Sequence, residues 1–270
     1  MGVFIKRYDD LTITDDFLFC RILEKNPDLC QDIVERIIGR KIGRIVRLEG
    51  QKEIRITPDG RGIRLDVYFE DDAENVYDIE MQTAHYDELP QRIRYYQGTI
   101  DQNLINKGKA YSSLKDCWII FICKEDIFHL GQGLYSFSLH EDHNHQLILD
   151  DKAHRLVFCL NGYDDDFPKQ QRELADAMTG RNRDTPLGRR LTTEESEARH
   201  SAIWREQYMK YEYDLHLARE DGKKELALAV LNNLTASGMP LAEAERMVGM
   251  TMEEAKTILQ ADSSDTQQSS

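Results

Sequence analysis

The sequence predicts an α/β sandwich, a mixed β-sheet covered by helices on both faces. Three observations predict it. Residues 63–69 and 75–82 alternate apolar and polar side chains on either side of a polar turn, which is the pattern of a hairpin. Residues 117–123 (Cys-Trp-Ile-Ile-Phe-Ile-Cys) are wholly apolar, as a strand buried on both faces must be. Segments with helical spacing precede the hairpin and separate it from that strand.

The first element is a helix. Thr14 is placed to cap it, Asp15 and Asp16 suit its positive end, and Phe17, Cys20 and Leu23 share one side. Asn26-Pro27 opens a second helix, with Asn as cap and Pro in the first turn. Leu29, Ile33, Val34, Ile37 and Ile38 form its buried stripe, and Gly39 stops it. A strand lies within 44–56, and 57–62 is a turn. In the hairpin, Ile63, Leu65, Val67 and Phe69 face one way while Arg64, Asp66 and Tyr68 face the other. Tyr77, Ile79 and Met81 share one face of the return strand; Asp78, Glu80 and Gln82 share the opposite one. A helix follows over 89–107, started by Pro90 and ended by Gly108. Strands near 133–139 and 154–160 complete the sheet.

From about 192 the texture changes. Residues 193–235 hold no proline and one glycine, and Trp204, Tyr208, Tyr211, Leu215 and Ala218 recur at steps of three or four. That spacing predicts a long amphipathic helix able to pair with a second copy. The chain therefore divides into a core at 1–190, a helical arm at 191–236, a small helix-turn-helix-like hairpin at 237–260 and a disordered polar tail at 261–270. Acidic residues outnumber basic ones in that hairpin, which favours protein docking over phosphate contact.

Composition narrows the classes. The chain has 270 residues, 40% apolar and 31% charged, with six prolines. That suits a globular protein and excludes collagen-like or wholly disordered chains. No apolar run approaches a membrane span, and the first residues lack the apolar stretch of a secretory signal. The formal charge of −14 excludes a protein that coats nucleic acid by global attraction. Five cysteines sit in apolar segments without a Cys-x-x-Cys pair, which fits a reducing cytoplasm.

The hairpin carries the chemistry. With its turn centred near residue 73, Asp66 falls opposite Glu80, their Cβ atoms ~5 Å apart on one face. Gln82 lies ~7 Å further along that face. Two carboxylates so close stay ionised cheaply only with a cation between them. Mg²⁺ or Mn²⁺ suits Asp66 and Glu80 with the carbonyl of Met81 as a third oxygen. Such an ion acidifies a bound water and neutralises charge on a phosphate. The other reading of the same pattern is a solvated strand face. Local charge bears on the choice: residues 36–64 hold nine basic side chains against three acidic ones, an excess of six. Arg64 closes that run, and Arg92, Arg94 and Lys107 continue it, a basic setting for a polyanion. His140, His143 and His145 form a second candidate cluster, set against a plain exposed hairpin tip.

Six segments in order carry a resemblance. They are Asp15-Asp16-Phe17-Leu18-Phe19, Gly62-Ile-Arg-Leu-Asp66-Val, Tyr77-Asp-Ile-Glu80-Met-Gln82-Thr, Arg94-Tyr-Tyr-Gln-Gly98, Gly108-Lys-Ala-Tyr111 and Ile119-Ile-Phe-Ile-Cys123. Together they resemble the Rpn family of recombination-promoting nucleases, PD-(D/E)XK nuclease family transposases, from about residue 10 to 180. The resemblance implies a restriction-endonuclease-like three-layer α/β/α core and metal-dependent hydrolysis of DNA phosphodiester bonds. It implies that Asp66 is the signature acid and Glu80 the second metal ligand. Gln82 takes the place of the signature Lys and offers hydrogen bonds to a water or a phosphate oxygen. Asp16 falls where related nucleases place another acid, and Cys20 where many place a Lys. Gln91 and Tyr95, one helical turn apart, are candidates with Arg92 and Arg94 for DNA-backbone contact. The alternatives are a catalytically impaired DNA-binding protein on the same fold and an oligomeric scaffold built on the long helix.

Overall fold

The computed structural model describes residues 6–57, 62–84, 87–105 and 107–248. It falls into two compact units that divide at Ser201/Ala202.

The first unit opens with helices α1 (Asp16–Lys25) and α2 (Pro27–Ile38). Asp15, rather than Thr14, precedes the first helical residue, and its carboxylate accepts from the Thr12 amide at 2.7 Å. Asn26 does not cap α2 through its side chain; its amide donates to the Ile22 carbonyl at 2.9 Å and so ties the two helices together. Gly39 takes the left-handed conformation, φ 77°, that ends α2. Then come β1 (Ile45–Ile54), β2 (Ile63–Asp71), β3 (Val76–Gln82), α3 (Leu89–Leu104), β4 (Cys117–Cys123), β5 (Leu134–Phe137) and β6 (Ala153–Cys159). Helices α4 (Lys169–Thr179) and α5 (Pro186–His200) close the unit.

The sheet order is β1-β2-β3-β4-β6-β5. β1, β2 and β3 run antiparallel in sequence, β3, β4 and β6 are parallel, and β5 returns antiparallel on the edge. All seven residues of β4 are buried, as its apolar run requires. Its odd-numbered residues, Cys117, Ile119, Phe121 and Cys123, share one core with Leu89, Ile93 and Ile100 of α3. α1 and α2 pack on the antiparallel strands, and α4 and α5 close over them. The mixed sheet with helices on both sides is thus the α/β sandwich that the sequence predicts, in the restriction-endonuclease-like arrangement that the resemblance implies.

The single long helix expected from about 192 is two helices. α5 begins at Pro186, where Thr185 Oγ1 accepts from the Gly188 amide at 3.0 Å. It belongs to the first unit: the Tyr8 hydroxyl donates to the Ala198 carbonyl at 2.5 Å, and Glu195 accepts from the Ile13 amide at 2.9 Å. In the second unit, α6 (Ala202–Ala236) is followed by α7 (Leu241–Val248). Leu231 and Ala244 are buried together there, with Leu234, Met239 and Val248 against them. The remainder of the expected hairpin, from Gly249, and the tail at 261–270 lie outside the described residues. So does most of the turn at 57–62.

Candidate active site

β2 and β3 pair from Glu70–Val76 to Val67–Ile79. The ladder stops there, one residue short of Asp66 and Glu80, and Ile63 and Leu65 share the α3-side core with Tyr68, so the strict alternation expected over 63–69 breaks between Leu65 and Tyr68. Beyond the ladder, side chains take over the hydrogen bonding. The Asp66 amide donates to Glu80 Oε1 at 2.8 Å, and the Met81 amide donates to Asp66 Oδ2 at 3.0 Å. A strand residue turns its N–H and C=O toward the same neighbour. Because the Met81 N–H meets Asp66, its carbonyl faces the same gap. β1 is irregular at this level too: Gln51, the residue passing Asp66 on the other side, has φ 52°.

The two carboxylates open onto a cleft of about 910 Å³. Asp16, in the first turn of α1, lines it, as do Arg64 of β2 and Met81 and Gln82 of β3. From α3 it receives Gln91, Arg92, Arg94 and Tyr95, with Tyr96 and Gln102. Lys107 is exposed beyond the end of α3 and does not line it. Four of the nine basic side chains at 36–64 are engaged elsewhere: Arg36 with Asp32, Lys41 with Glu35, Arg47 and Lys52 with Glu49. Of that run, only Arg64 reaches the cleft among the described residues.

The electrostatics are those of a crowded acid cluster. Burial, with the nearby charge of Asp16, pushes the Asp66 carboxyl up to about 7, although the Met81 N–H works the other way. Burial also drives Glu80 well above the usual carboxylate range, and the charges of Asp78 and Asp66 add to it. By the alternation, Asp78 is one more polar residue of the Glu80 face. It is completely buried, and apart from the neighbouring Glu80 carboxyl its oxygens have no hydrogen-bond partner among the described residues. Burial and then the charge of Asp66 raise it strongly. Parity alone points to this outcome: Asp78 is opposite Ile119 of the doubly covered strand.

Two arginines act on these acids: the charges of Arg64 and Arg92 both favour ionised Asp66, and Arg92 also touches Glu80. Arg92 Nη2 stands 3.5 Å from Glu80 Oε2, and Arg92 Nη1 donates to Gln82 Oε1 at 2.7 Å. Gln82 is therefore engaged by α3, and its own amide group donates to the Ala84 carbonyl. Tyr96, which sequence reasoning passed over, accepts from Arg92 Nη2 at 3.3 Å. Beneath the cluster, burial and then Asp66 hold the Cys20 thiol well above its ordinary value, so it stays neutral.

The donor set fits a hard divalent cation. Three carboxyls share a dehydrated space with the charges of Arg64 and Arg92, and a divalent ion there would favour their ionised forms. Asp66 Oδ1 has no donor among the described residues. No three His, Cys, Asp or Glu side chains converge into a metal cage among those residues. An ion held by two carboxylates and a carbonyl, keeping several waters, suits such a site; this is the coordination habit of Mg²⁺. The His140–His145 segment is an exposed hairpin tip bridged at His140 and Ile148, with the His140 ring against its own His145 carbonyl.

Fold and site together define a restriction-endonuclease-like nuclease domain: a mixed α/β sheet whose second and third strands present an Asp and a Glu side by side. Residues 13–160 match the PD-(D/E)XK nuclease family transposases, and the chain belongs to that family. No curated protein and no solved structure gives a match. No helix among the described residues is long and apolar enough to cross a membrane.

Proposed function

We propose that this protein is a Mg²⁺- or Mn²⁺-dependent endodeoxyribonuclease that cuts DNA phosphodiester bonds in recombination or mobile-element movement. The supporting observation is the Asp66–Glu80 bridge at the floor of an arginine-bordered cleft. Asp66, Glu80 and the Met81 carbonyl are the groups that would hold the ion. When bound, it neutralises charge on the phosphate and acidifies a water. Asp16 is positioned to accept a hydrogen bond from water at the cleft's α1 side. Gln91, Arg94 and Tyr95 present one exposed strip of α3 to the DNA backbone, with Arg64 across the cleft; Lys107 extends the basic surface past the helix end. Five buried free thiols support a cytoplasmic setting.

The test is nicking of supercoiled plasmid by the purified protein. Nicking should require Mg²⁺ or Mn²⁺, stop with EDTA and disappear in Asp66→Ala. An Asp66→Ala protein as active as the wild type would sink the reading. A second reading, DNA binding without turnover, draws on the uncharged Gln82; it expects a band shift with no nicking. Self-association is assigned to the second unit, where α6 exposes Met209, Tyr213 and Leu217 at helical spacing. Light scattering on the full chain and on one ending at Ser201 would separate the two.

A further inference from the structure

The cleft has a neutral amide at residue 82, where attack on a phosphodiester calls for positive charge beside the oxygens that gain it. A cation that touches this amide comes from another element. Arg92, on the second turn of α3, donates from Nη1 to Gln82 Oε1 at 2.7 Å and holds Nη2 3.5 Å from Glu80 Oε2. Two rings fix the plane of its guanidinium, whose central carbon lies 5.2 Å from the Phe121 centroid and 5.5 Å from that of Tyr96. A guanidinium carries five N–H donors. Gln82, Glu80 and Tyr96 take three of them; the other two have no acceptor among the described residues, and the side chain is 30% exposed in the cleft. Arg94, by contrast, is exposed and makes no hydrogen bond or ion pair with the acid cluster.

Resting on the nuclease reading, we propose that Arg92 supplies the positive charge that Gln82 lacks, with Gln82 acting as the positioning residue that holds it. Arg92 is then the group that meets the non-bridging oxygen of the phosphate under attack. Gln82 contributes an acceptor, which a lysine cannot. A lysine at 82 would set its ammonium against the guanidinium. The two devices, Lys at 82 or Gln82 with Arg92, are therefore mutually exclusive, and that exclusivity gives the proposal a sign to be tested.

The experiment compares wild type, Arg92→Met, Gln82→Lys and the double variant Gln82→Lys/Arg92→Met. Methionine keeps a long side chain over Phe121 and Tyr96, so loss of packing is small, and melting curves check folding. Single-turnover nicking in Mg²⁺ with protein in excess reads the chemical step. Band shifts in Ca²⁺ read affinity. Arg92→Met should lower the single-turnover rate by ~100-fold or more, the scale for removing one transition-state donor, with affinity nearly unchanged. Gln82→Lys alone should also be slow. The double variant should be faster than either single one. A double variant no faster than Arg92→Met, or an Arg92→Met protein that loses affinity but keeps its rate, would overturn the proposal while leaving the nuclease reading standing. Failure of the wild type itself to nick would overturn the nuclease reading instead.

Discussion

Asp66 and Glu80 join two strands at the point where the strands stop pairing with each other. The Asp66 amide donates to Glu80 Oε1, and the Asp66 carboxylate in turn accepts from the residue after Glu80. Each carboxylate thus uses one oxygen to replace a lost ladder bond. Its position is fixed by the backbone before any ligand arrives, and such preorganisation is what a catalytic site needs.

Asp66→Asn should separate activity from stability. The amide oxygen still accepts from the Met81 N–H, so the strand join survives. The variant loses one charge from the acid cluster. Nicking should fall ~100-fold or more, in line with loss of a metal-binding carboxylate or an equivalent electrostatic group. Without divalent ion at pH 8 the variant should melt no lower than the wild type, because a repelling carboxylate has gone. Thermal melts in EDTA beside plasmid nicking in Mg²⁺ give both numbers.

The pH dependence has a definite sign. Asp66, Glu80 and Asp78 all have carboxyls raised in the folded protein. A raised acid holds its proton in the folded state over a range where the unfolded chain has lost it. Its contribution is therefore most favourable below the unfolded value near 4 and is lost as pH rises toward the folded value, about 7 for Asp66. In EDTA the melting temperature contributed by this cluster should fall between pH 5 and pH 8. Mg²⁺ needs the ionised forms, so its stabilising effect should be larger at pH 8 than at pH 6. At ~100 times its dissociation constant it should add about 2.7 kcal/mol. Equal Mg²⁺ shifts at both pH values would contradict the cluster's role as the ion's ligands.

Asp78→Asn tests the fully buried acid beside Glu80. Asparagine keeps the shape and removes the charge. The cost of holding Asp78 grows as pH rises above its unfolded value. The variant should therefore gain stability over the wild type at pH 8 relative to pH 5, because asparagine has no proton to lose there. Urea unfolding at the two pH values measures it. A variant destabilised equally at both would show that Asp78 serves packing alone.

The hairpin was legible because its side-chain period is two and its turn is polar. Any register that keeps Val67, Phe69, Tyr77 and Ile79 on a common apolar face has the same parity, and the short polar turn picks the one that brings Asp66 near Glu80. The all-apolar run of β4 announced its own burial. The partner of Gln82 was hidden, because Arg92 reaches it only through the rotation of α3 on the sheet, which spacing within a helix does not set. The loss of strand pairing beside Asp66 was hidden too, since nothing in the alternation breaks there. α4 escaped because its buried stripe mixes Gln171 with Leu174, Ala175 and Met178 under a polar surface. Thr185-Pro186 was a readable helix start for α5. The break at Ser201 has no Gly or Pro to mark it. It is set by tertiary contacts of Tyr8 and Ile13 with the end of α5.

Those contacts predict where the first unit ends. Glu195 is 5% exposed and accepts from the Ile13 amide at 2.9 Å and from Arg183 Nη2 at 3.1 Å, with Arg199 Nη2 3.9 Å away. Truncating it would leave a buried amide and a half-buried guanidinium without their acceptor. Glu195→Ala should cost ~3–5 kcal/mol, the range for breaking a buried ion pair, or about 10 °C in melting temperature for a domain of this size. Glu197→Ala, which removes only an exposed partner of Lys25, should cost less than ~1 kcal/mol. A chain ending at Ser201 should then melt cooperatively, and one ending at Arg190 should not, because it lacks Glu195 and the Ala198 carbonyl that holds Tyr8. Cooperative melting of the shorter chain would mean that α5 is an appendage and that the fold is complete without it.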